Sequence, residues 1–379
     1  MATGEQAGTV SAPLGAAPVG AAPLGAAPRS LAALPKAHLH LHFTGSMRIA
    51  TLGDLAAQHG VPLPEALTAS WPPRLQATDE RGWFRFQRLY DIARSCVRGE
   101  ADLRRVVREA AADDVAEGSR WLEIQVDPTS YAPFVGGITP ALEVVLDEAR
   151  AASRDIGTGV AVVVAASRVR HPLDARTLAR LAVRYAGDGA GDVVGFGLSN
   201  DERRGTLEDF APAFAIARRG GLALVPHAGE LLGPASVQRT LSLLRPDRLG
   251  HGVRCAEDPR VMAEVAEAGV TLEVCPRSNV ALGVYADVGE VPLATLVDAG
   301  IPVALGADDP LLFGSRLVAQ YESARTALGF DDAALADLAR ASITGSRAPD
   351  AVRRPALAGV DAWLAGAPRG PGVVERLRD

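Results

Sequence analysis

The sequence predicts an α/β fold, a single (β/α)₈ barrel of the TIM type with extra helices over its mouth. From Leu34 onward, short apolar runs alternate with helical patterns, as in repeated βα units that build a parallel sheet. There are eight such runs, and eight parallel strands close into a barrel. A chain of 379 residues that is 48% hydrophobic has enough apolar side chains for a core of this size.

The eight apolar runs are the predicted strands. They cover residues 37–43, 121–126, 160–166, 193–198, 223–227, 248–251, 271–275 and 302–306. Between them, Thr139 before Pro140 and Asp258 before Pro259 have the form of a helix N-cap followed by proline at the first helical position. Residues 44–118 are too many for one crossover, so we expect extra helices there that cover the barrel mouth.

The beginning of the chain differs in composition from the rest. A five-residue unit, Gly-Ala-Ala-Pro-x, occurs three times from Gly15 on. Proline at every fifth position prevents a helix, and the other side chains are too small to form a core. The segment also lacks the basic start and the unbroken apolar stretch of a signal peptide. We therefore expect residues 1–30 to be a disordered tail and residues 31–379 to form the barrel domain.

Composition and charge exclude several classes of partner. The net charge of -6 argues against a nucleic-acid or membrane-surface partner, which would require a basic face. No stretch approaches the roughly 18 consecutive apolar residues of a membrane-spanning helix. Cys96, Cys255 and Cys275 are too few and too scattered for a disulfide framework, and indicate reduced thiols in a cytoplasmic protein. A small molecule is the expected partner, and the oligomeric state stays open.

The first predicted strand carries three alternating histidines. Side chains two residues apart on a strand lie on the same face, so His38, His40 and His42 are expected to point the same way. Taken alone, this pattern is equally consistent with a metal site and with a polar, solvated strand face.

Later strands end in polar groups, which favours the metal site. In an α/β barrel the carboxyl ends of the strands meet on one face, where catalytic groups collect. The fifth strand is followed by His227 and Glu230, the sixth ends at His251, and the eighth is followed by Asp308 and Asp309. Imidazoles and a carboxylate form the ligand set that suits Zn²⁺ or a similar divalent ion.

These residues belong to longer motifs that resemble those of the adenosine deaminase branch of the amidohydrolase superfamily. The resemblance extends over nearly all of the chain from Leu34 onward. The motifs are the His-x-His strand, His227-Ala-Gly-Glu230, Gly250-His251-Gly252, Cys275-Pro-x-Ser278-Asn279 and Asp308-Asp309-Pro310.

The resemblance implies a role for each of the polar groups. It implies that one divalent metal ion, Zn²⁺ in the first place, is held by four ligands, His40, His42, His227 and Asp308. It also implies three catalytic residues: Glu230 as proton shuttle, His251 as the group that orients or deprotonates the attacking water, and Asp309 as partner of a purine ring.

The implied chemistry is hydrolytic deamination at C6 of a 6-aminopurine. A divalent metal lowers the pKa of water far enough to supply hydroxide near neutral pH. N1 of the purine must be protonated as C6 becomes tetrahedral, which Glu230 can do if a closed pocket keeps it partly neutral. Asp309 must share a proton to hydrogen-bond the ring, so we expect a raised pKa for this carboxyl.

Two further residues refine the metal site. Lys36 is the single lysine and precedes the first strand, so the bridging carboxylated lysine of two-metal relatives is missing from the end of the fourth strand. One metal ion follows. His38 stands where the family usually has an acidic residue, so we expect it to support the ligands rather than bind the metal.

The positions expected to contact substrate depart from the family pattern. Thr44 replaces the aspartate of adenosine-specific members and the glutamate of adenine-specific ones. The turn whose backbone amide meets purine N3 carries Asn200 in place of glycine. Because Thr44 offers no charge, a substrate without a free 5′-hydroxyl would lose little here. One such substrate is 6-amino-6-deoxyfutalosine, a nucleoside of the menaquinone pathway with a benzoate at its 5′ end.

A benzoate would favour an arginine near the barrel mouth. Arg85 and Arg88 are the first candidates, because aromatic residues surround them, and Arg203 and Arg204 are two more. The alternative is that these arginines only solvate a helix face and a loop.

The sequence thus predicts an enzyme that deaminates a 5′-modified adenine nucleoside, with adenosine as the second candidate and free adenine as the third. A metallo-hydrolase of esters or lactones on the same barrel is an alternative from another class. A non-catalytic relative is disfavoured, because such proteins typically lose a ligand or the shuttle, and all these groups are present here.

Overall fold

Eight parallel strands follow one another in space in the order in which they occur in the chain. In the computed structural model, which describes residues 28–366, each strand pairs in parallel with the next. The strands are β1 (Lys36–His42), β2 (Ser119–Val126), β3 (Gly159–Ser167), β4 (Val193–Ser199), β5 (Ala223–Ala228), β6 (Arg248–His251), β7 (Thr271–Val274) and β8 (Val303–Leu305). All eight predicted strands are confirmed, and no boundary differs from the prediction by more than two residues.

The barrel closes between β1 and the segment that follows β8. The backbone N–H of Asp308 donates to the carbonyl of His40, and the N–H of His42 donates to the carbonyl of Asp308, each at 3.0 Å. Leu41 and Asp308 therefore form a parallel bridge. The closure itself places Asp308 beside the two histidines.

Helices surround the barrel and extend over its mouth. In the described part of the chain they are α1 (Ile49–His59), α2 (Glu80–Ser95), α3 (Glu100–Ala116), α4 (Ala132–Val135), α5 (Ile138–Ile156), α6 (Pro172–Arg184), α7 (Leu207–Arg219), α8 (Pro234–Leu244), α9 (Pro259–Glu267), α10 (Pro276–Ala281), α11 (Leu293–Asp298), α12 (Pro310–Phe313), α13 (Leu317–Thr326), α14 (Asp332–Gly345) and α15 (Asp350–Ala365). Residues 44–118 hold three of them, and α2 lines the cavities at the mouth, as expected from the length of this segment.

Buried apolar faces hold the helices against the strands. In α3, Leu103, Val106 and Val107 lie on one face and are fully buried. Burying such a side chain stabilises the fold by about 1.5–3 kcal/mol.

One of the two predicted helix caps is confirmed. The side chain of Asp258 accepts a hydrogen bond from the N–H of Arg260 at 2.9 Å and caps α9. The other prediction is wrong, because α5 already begins at Ile138 and Thr139 lies inside its first turn. The preceding Gly137 has φ 143°, a conformation that glycine adopts without strain, and this allows the chain to enter the helix earlier.

The predicted tail, residues 1–30, lies outside the described residues except for its last three. Among residues 28–366, none of the helices is long and apolar enough to cross a membrane.

Candidate active site

The four predicted metal ligands come together at the carboxyl end of the barrel. The Nε2 atoms of His42 and His227 are 3.2 Å apart, and Asp308 Oδ1 lies 3.3 Å from Nε2 of His42 and 3.6 Å from Nε2 of His40. Nitrogen and oxygen donors bound to one tetrahedral Zn²⁺ at 2.0–2.1 Å lie about 3.3 Å from one another. The spacing fits a single ion.

His40 is oriented by a buried carboxylate. Its Nδ1 lies 2.8 Å from Glu273 Oε2, and a carboxylate only accepts, so we assign the ring proton to Nδ1. Nε2 then carries a lone pair, is buried and has no hydrogen-bond partner. A carboxylate behind a histidine in this way fixes the tautomer that binds a metal.

The imidazoles offer the protonation states that a metal requires. Burial lowers the pKa of His42 and His227 and lowers the pKa of His251 to about 3, so these rings are neutral at pH 7. Burial also acts to lower the pKa of His40, but the neighbouring carboxylates of Asp308 and Glu273 outweigh it and raise this pKa to about 10. The environment therefore favours a positive charge at His40, and either a proton or a metal ion can supply it. Donor chemistry, spacing and the orphaned nitrogen all fit a divalent metal ion.

The three predicted catalytic residues border the same point. His251 Nε2 lies 3.4 Å from Glu230 Oε1 and 3.9 Å from Asp308 Oδ2. Burial, reinforced by repulsion from Asp308, holds the pKa of both Glu230 and Asp309 well above the usual range. For Asp309 this is the direction expected from the sequence. Both carboxyls can therefore carry a proton at neutral pH.

Three residues at the site have a left-handed backbone. Asn200, His251 and Asp308 have φ values of 77°, 63° and 61°, and the described chain contains one other positive-φ residue that is not glycine, Arg245. Such a conformation costs about 1–3 kcal/mol and clusters at functional sites. Asn, Asp and His tolerate it better than most residues. At Asn200 it explains how the turn accommodates a residue other than the family's glycine.

His38 does not join the ligands, so the prediction that three histidines share a face is wrong for this residue. The register of β1 against β2 shifts after His38. Its Nδ1 lies 2.8 Å from Asp114 Oδ1 on α3, and its Nε2 accepts from the N–H of Ala307 at 3.0 Å. It thereby holds the backbone next to Asp308, in agreement with the supporting role expected for it.

Glu202 is a buried residue at the site that the sequence reasoning missed. It accepts hydrogen bonds of 2.7–3.1 Å from four successive backbone N–H groups, those of residues 229–232, and one of 2.6 Å from Ser236 Oγ. These bonds fix the turn that carries Glu230. The available signal was the Asp-Glu pair at the end of the fourth strand.

A second missed group is an ionic network inside the barrel. The Arg248 guanidinium donates to Glu123 Oε2 at 2.5 Å and to Glu273 Oε1 at 2.6 Å, and all three side chains are fully buried. Burial acts to raise the pKa of Glu273, but Arg248 outweighs it and lowers this pKa. Because Glu273 also holds His40, the network supports the metal ligands. Charged residues within apolar strands were the signal in the sequence.

Two adjoining spaces, which share seven lining residues, lie at the barrel mouth. The inner space, of about 70 Å³, is lined by the catalytic residues. The outer cavity, of about 790 Å³, contains Thr44 on its wall. Tyr90, Arg94 and Asn200 line both. Thr44 is buried, and its Oγ1 lies 2.6 Å from the Tyr131 hydroxyl.

The arginines predicted to meet the substrate are not the ones at the site. Arg85 and Arg88 are exposed and line neither space, which corrects the prediction. Positions 83, 87, 90 and 94 of α2 share the face toward the cavities, and residues 85 and 88 lie off this face. Arg203 pairs with Asp201. Arg204 reaches the outer cavity but pairs with Glu80.

Comparison with known proteins gives the family. The sequence model described as adenosine deaminase matches residues 35–363. A relative from Streptomyces coelicolor, whose name adenosine/adenine deaminase is provisional, is 64% identical over 340 residues, which is 89% of this chain and 98% of the relative. The chain belongs to the adenosine deaminase family.

Two further members of the comparison extend the family assignment. The aminodeoxyfutalosine deaminase of the same Streptomyces coelicolor strain is 35% identical and covers 83% of this chain and 81% of its own length. The crystal structure of an amidohydrolase from Burkholderia ambifaria with bound zinc superimposes with a TM-score of 0.76 at 25% identity, covering 89% of this chain and 94% of that one. As a family member, this deaminase is a hydrolytic enzyme of the purine deaminase type.

Proposed function

We propose that this deaminase acts on an adenine nucleoside that is extended at its 5′ end. The observation that carries the proposal is that the narrow inner space shares seven lining residues with a much wider outer cavity, whose wall includes neutral Thr44, the residue that the resemblance assigns to the 5′ end. Adenine alone would use the inner space, whereas a 5′-extended nucleoside would also use the outer cavity.

The proposed cofactor is one Zn²⁺ ion held by His40, His42, His227 and Asp308. The zinc-bound amidohydrolase supports the choice of metal, and the ligand spacing supports the number. When bound, the ion would supply hydroxide near neutral pH. Lys36 supports a single ion, because this only lysine is engaged with the backbone carbonyls of Leu31 and Glu117.

The residues around the ligands have separate proposed roles. Glu230 protonates purine N1 as water adds to C6, which leaves Glu230 a carboxylate. It then takes the remaining proton of the added water from the C6 hydroxyl and delivers it to the departing ammonia, and the proton accepted by His251 returns to Glu230. His251 orients the attacking water and accepts its proton at Nε2, the nitrogen that lies toward Glu230 and Asp308, since the imidazole is neutral. Asp309 shares its proton with the purine ring, and Asn200 offers its backbone amide to N3. The products are a 6-oxopurine nucleoside and one ammonia.

The identity of the substrate has two leading candidates. 6-Amino-6-deoxyfutalosine is the first, because its 5′ extension would use the outer cavity and would need no charge at position 44. Adenosine is the second, because the relative at 64% identity has the provisional name adenosine/adenine deaminase, while the same strain has a separate aminodeoxyfutalosine deaminase at 35% identity. The chain is more similar in sequence to the first of these two proteins than to the second. Extended nucleosides other than 6-amino-6-deoxyfutalosine therefore belong in the test.

The test is a comparison of kcat/KM for four 6-aminopurines, with turnover monitored by ultraviolet absorbance. They are 6-amino-6-deoxyfutalosine, 5′-methylthioadenosine, adenosine and adenine. We expect at least one extended nucleoside to exceed adenosine by about tenfold or more, because the outer cavity adds contacts worth about 1.4 kcal/mol per tenfold. A preference for adenosine by orders of magnitude would show that the interpretation of Thr44 is wrong.

We also propose a cytoplasmic location. It is supported by Cys96, Cys255 and Cys275, which are all buried and free.

A further inference from the structure

Arg94 is placed where the substrate's 5′ end would leave the inner space. Of the arginines in the described part of the chain, Arg94 alone lines both the inner space and the outer cavity. Its guanidinium stacks on the ring of Tyr90 at 4.8 Å from the centroid. Tyr131, which is bonded to Thr44, lies close enough to interact electrostatically with it. A cation thus lies close to Tyr131, the hydrogen-bond partner of Thr44.

The positive charge of Arg94 is only weakly compensated. Its partner Asp91 is three residues earlier on the same helix, at 3.2 Å, and the Asp91 side chain is 54% exposed. Exposed pairs of this kind contribute little, because water screens them. Asp127, the other nearby carboxylate, accepts from the backbone N–H and the hydroxyl of Thr129.

Other arginines of the outer cavity are already engaged. Arg168 donates to the carbonyl of His227 at 2.6 Å, and Arg204 pairs with Glu80. Arg170 points to Asp127 at 3.9 Å and does not reach the inner space. Arg94 is therefore the arginine best placed to meet a charged group on the substrate.

We propose that Arg94, with Thr44 and Tyr131, forms a subsite for an anionic group attached at the 5′ end of the nucleoside. The group is a carboxylate or a phosphate, both of which arginine can hold with two parallel hydrogen bonds. A carboxylate at position 44 would neutralise Arg94, whereas Thr44 leaves its charge for the substrate. The subsite rests on the proposed function, and it makes that substrate an acidic one.

The experiment compares anionic and neutral 5′ groups in matched arginine variants. The substrates are 6-amino-6-deoxyfutalosine for the carboxylate, adenosine 5′-monophosphate for the phosphate, and 5′-methylthioadenosine as a neutral extension. The variants are R94Q, R94K and R81Q. Arg81 is an exposed arginine of the same helix that lines neither space, so R81Q controls for the loss of one positive charge.

We expect wild type to prefer one of the anionic substrates over 5′-methylthioadenosine. R94Q should lower the ratio of their kcat/KM values by about 10- to 100-fold, since it removes charge-assisted hydrogen bonds. The ratio for R94K should lie between those of wild type and R94Q, and R81Q should have the same ratio as wild type. Whether the carboxylate or the phosphate substrate carries the effect identifies the anion.

Two outcomes would overturn the subsite, and they differ from failure of the proposed function. If 5′-methylthioadenosine is preferred over both anionic substrates, or if R94Q leaves the ratio unchanged, Arg94 does not bind an anion although the 5′ extension stands. If adenosine is preferred over every extended nucleoside, the proposed function fails first.

Discussion

At the scale of single residues, the carboxyl groups at the barrel mouth differ in the protons that they hold. Burial raises the pKa of Glu230 and Asp309. Burial acts on Asp308 in the same direction, but the neighbouring histidines, His40 and His42 foremost, outweigh it and keep its pKa well below the usual range. Carboxyls whose environments move their pKa values apart can serve as acid and as ligand side by side.

The His40–Glu273 contact leads to a prediction about metal binding. E273Q should lower metal affinity by about 10- to 100-fold, because the amide no longer fixes the imidazole tautomer that offers Nε2 to the metal. The affinity is measured by competition with a chelator. D102N is the matched control, since Asp102 holds His59 at the same 2.8 Å, and His59, at the end of α1, lines neither space of the site. Equal metal affinities for the two variants would disprove the role of Glu273.

The residue scale also marks where sequence reasoning succeeds and where it ends. The ligands could be predicted because each stands at a strand end, and the carboxyl ends of barrel strands converge. His38 could not be placed, since its direction depends on a register shift in β1. Arg94 was missed in favour of Arg85 and Arg88, because the phase of α2 against the barrel mouth is set by tertiary packing.

At the scale of elements, two turns at the barrel mouth act together. The turn after β4 carries Asn200, which lines the inner space, and Glu202, which clamps the turn after β5. That second turn carries Glu230 and follows directly on the end of β5, which carries His227. The position of the proton shuttle therefore depends on the same turn that is proposed to meet the purine.

This coupling predicts the effect of changing Glu202. E202Q should lower kcat by about tenfold or more with the metal retained, because the amide's N–H₂ group faces backbone donors and loses charge-assisted bonds that hold the Glu230 turn. The readouts are kcat and KM separately, metal content and Tm. S236A, which removes one hydroxyl from Glu202 and leaves the four backbone bonds, should have a small effect. Wild-type kcat in a folded E202Q protein would contradict the coupling.

Element boundaries were predictable where a strand is an apolar run with clear ends. The start of α5 was not, because Gly136 and Gly137 have φ values of 87° and 143° and turn the chain into the helix before Thr139. Helices of the 44–118 segment could be expected from its length, but their positions over the mouth follow from packing against the finished barrel.

At the scale of the whole molecule, function and stability are divided between the two ends of the barrel. The candidate ligands lie at the carboxyl ends of the strands, whereas Lys36 lies at the start of β1. Its Nζ donates to the carbonyls of Leu31 at 2.8 Å and Glu117 at 2.6 Å, and so ties the chain before β1 to the end of α3. Burial lowers the pKa of Lys36 from 10.5 to about 7.

The lowered pKa of Lys36 predicts a pH dependence of stability. Between about pH 7 and 10.5 the unfolded chain holds a proton at Lys36 that the folded chain has released, so the contribution of this residue to the free energy of unfolding rises with pH. Below about pH 7 both states are protonated and the contribution is constant. Urea denaturation at several pH values between 7 and 9 gives the free energy of unfolding of wild type and of K36M. The wild-type value should rise relative to that of K36M by roughly 1 kcal/mol per pH unit. A constant difference between the two proteins would refute the shift.

The central proposal for the whole molecule is that it removes a 6-amino group by hydrolysis, with Glu230 as proton shuttle. The most direct measurement is turnover of adenine nucleosides by the metal-loaded protein, followed by ultraviolet absorbance with ammonia quantified, beside E230Q. We expect one ammonia for each 6-oxopurine formed, and an E230Q variant that retains its metal but loses about 10²- to 10⁴-fold in kcat. Hydrolysis of esters or lactones without release of ammonia, or an E230Q variant as fast as wild type, would contradict it.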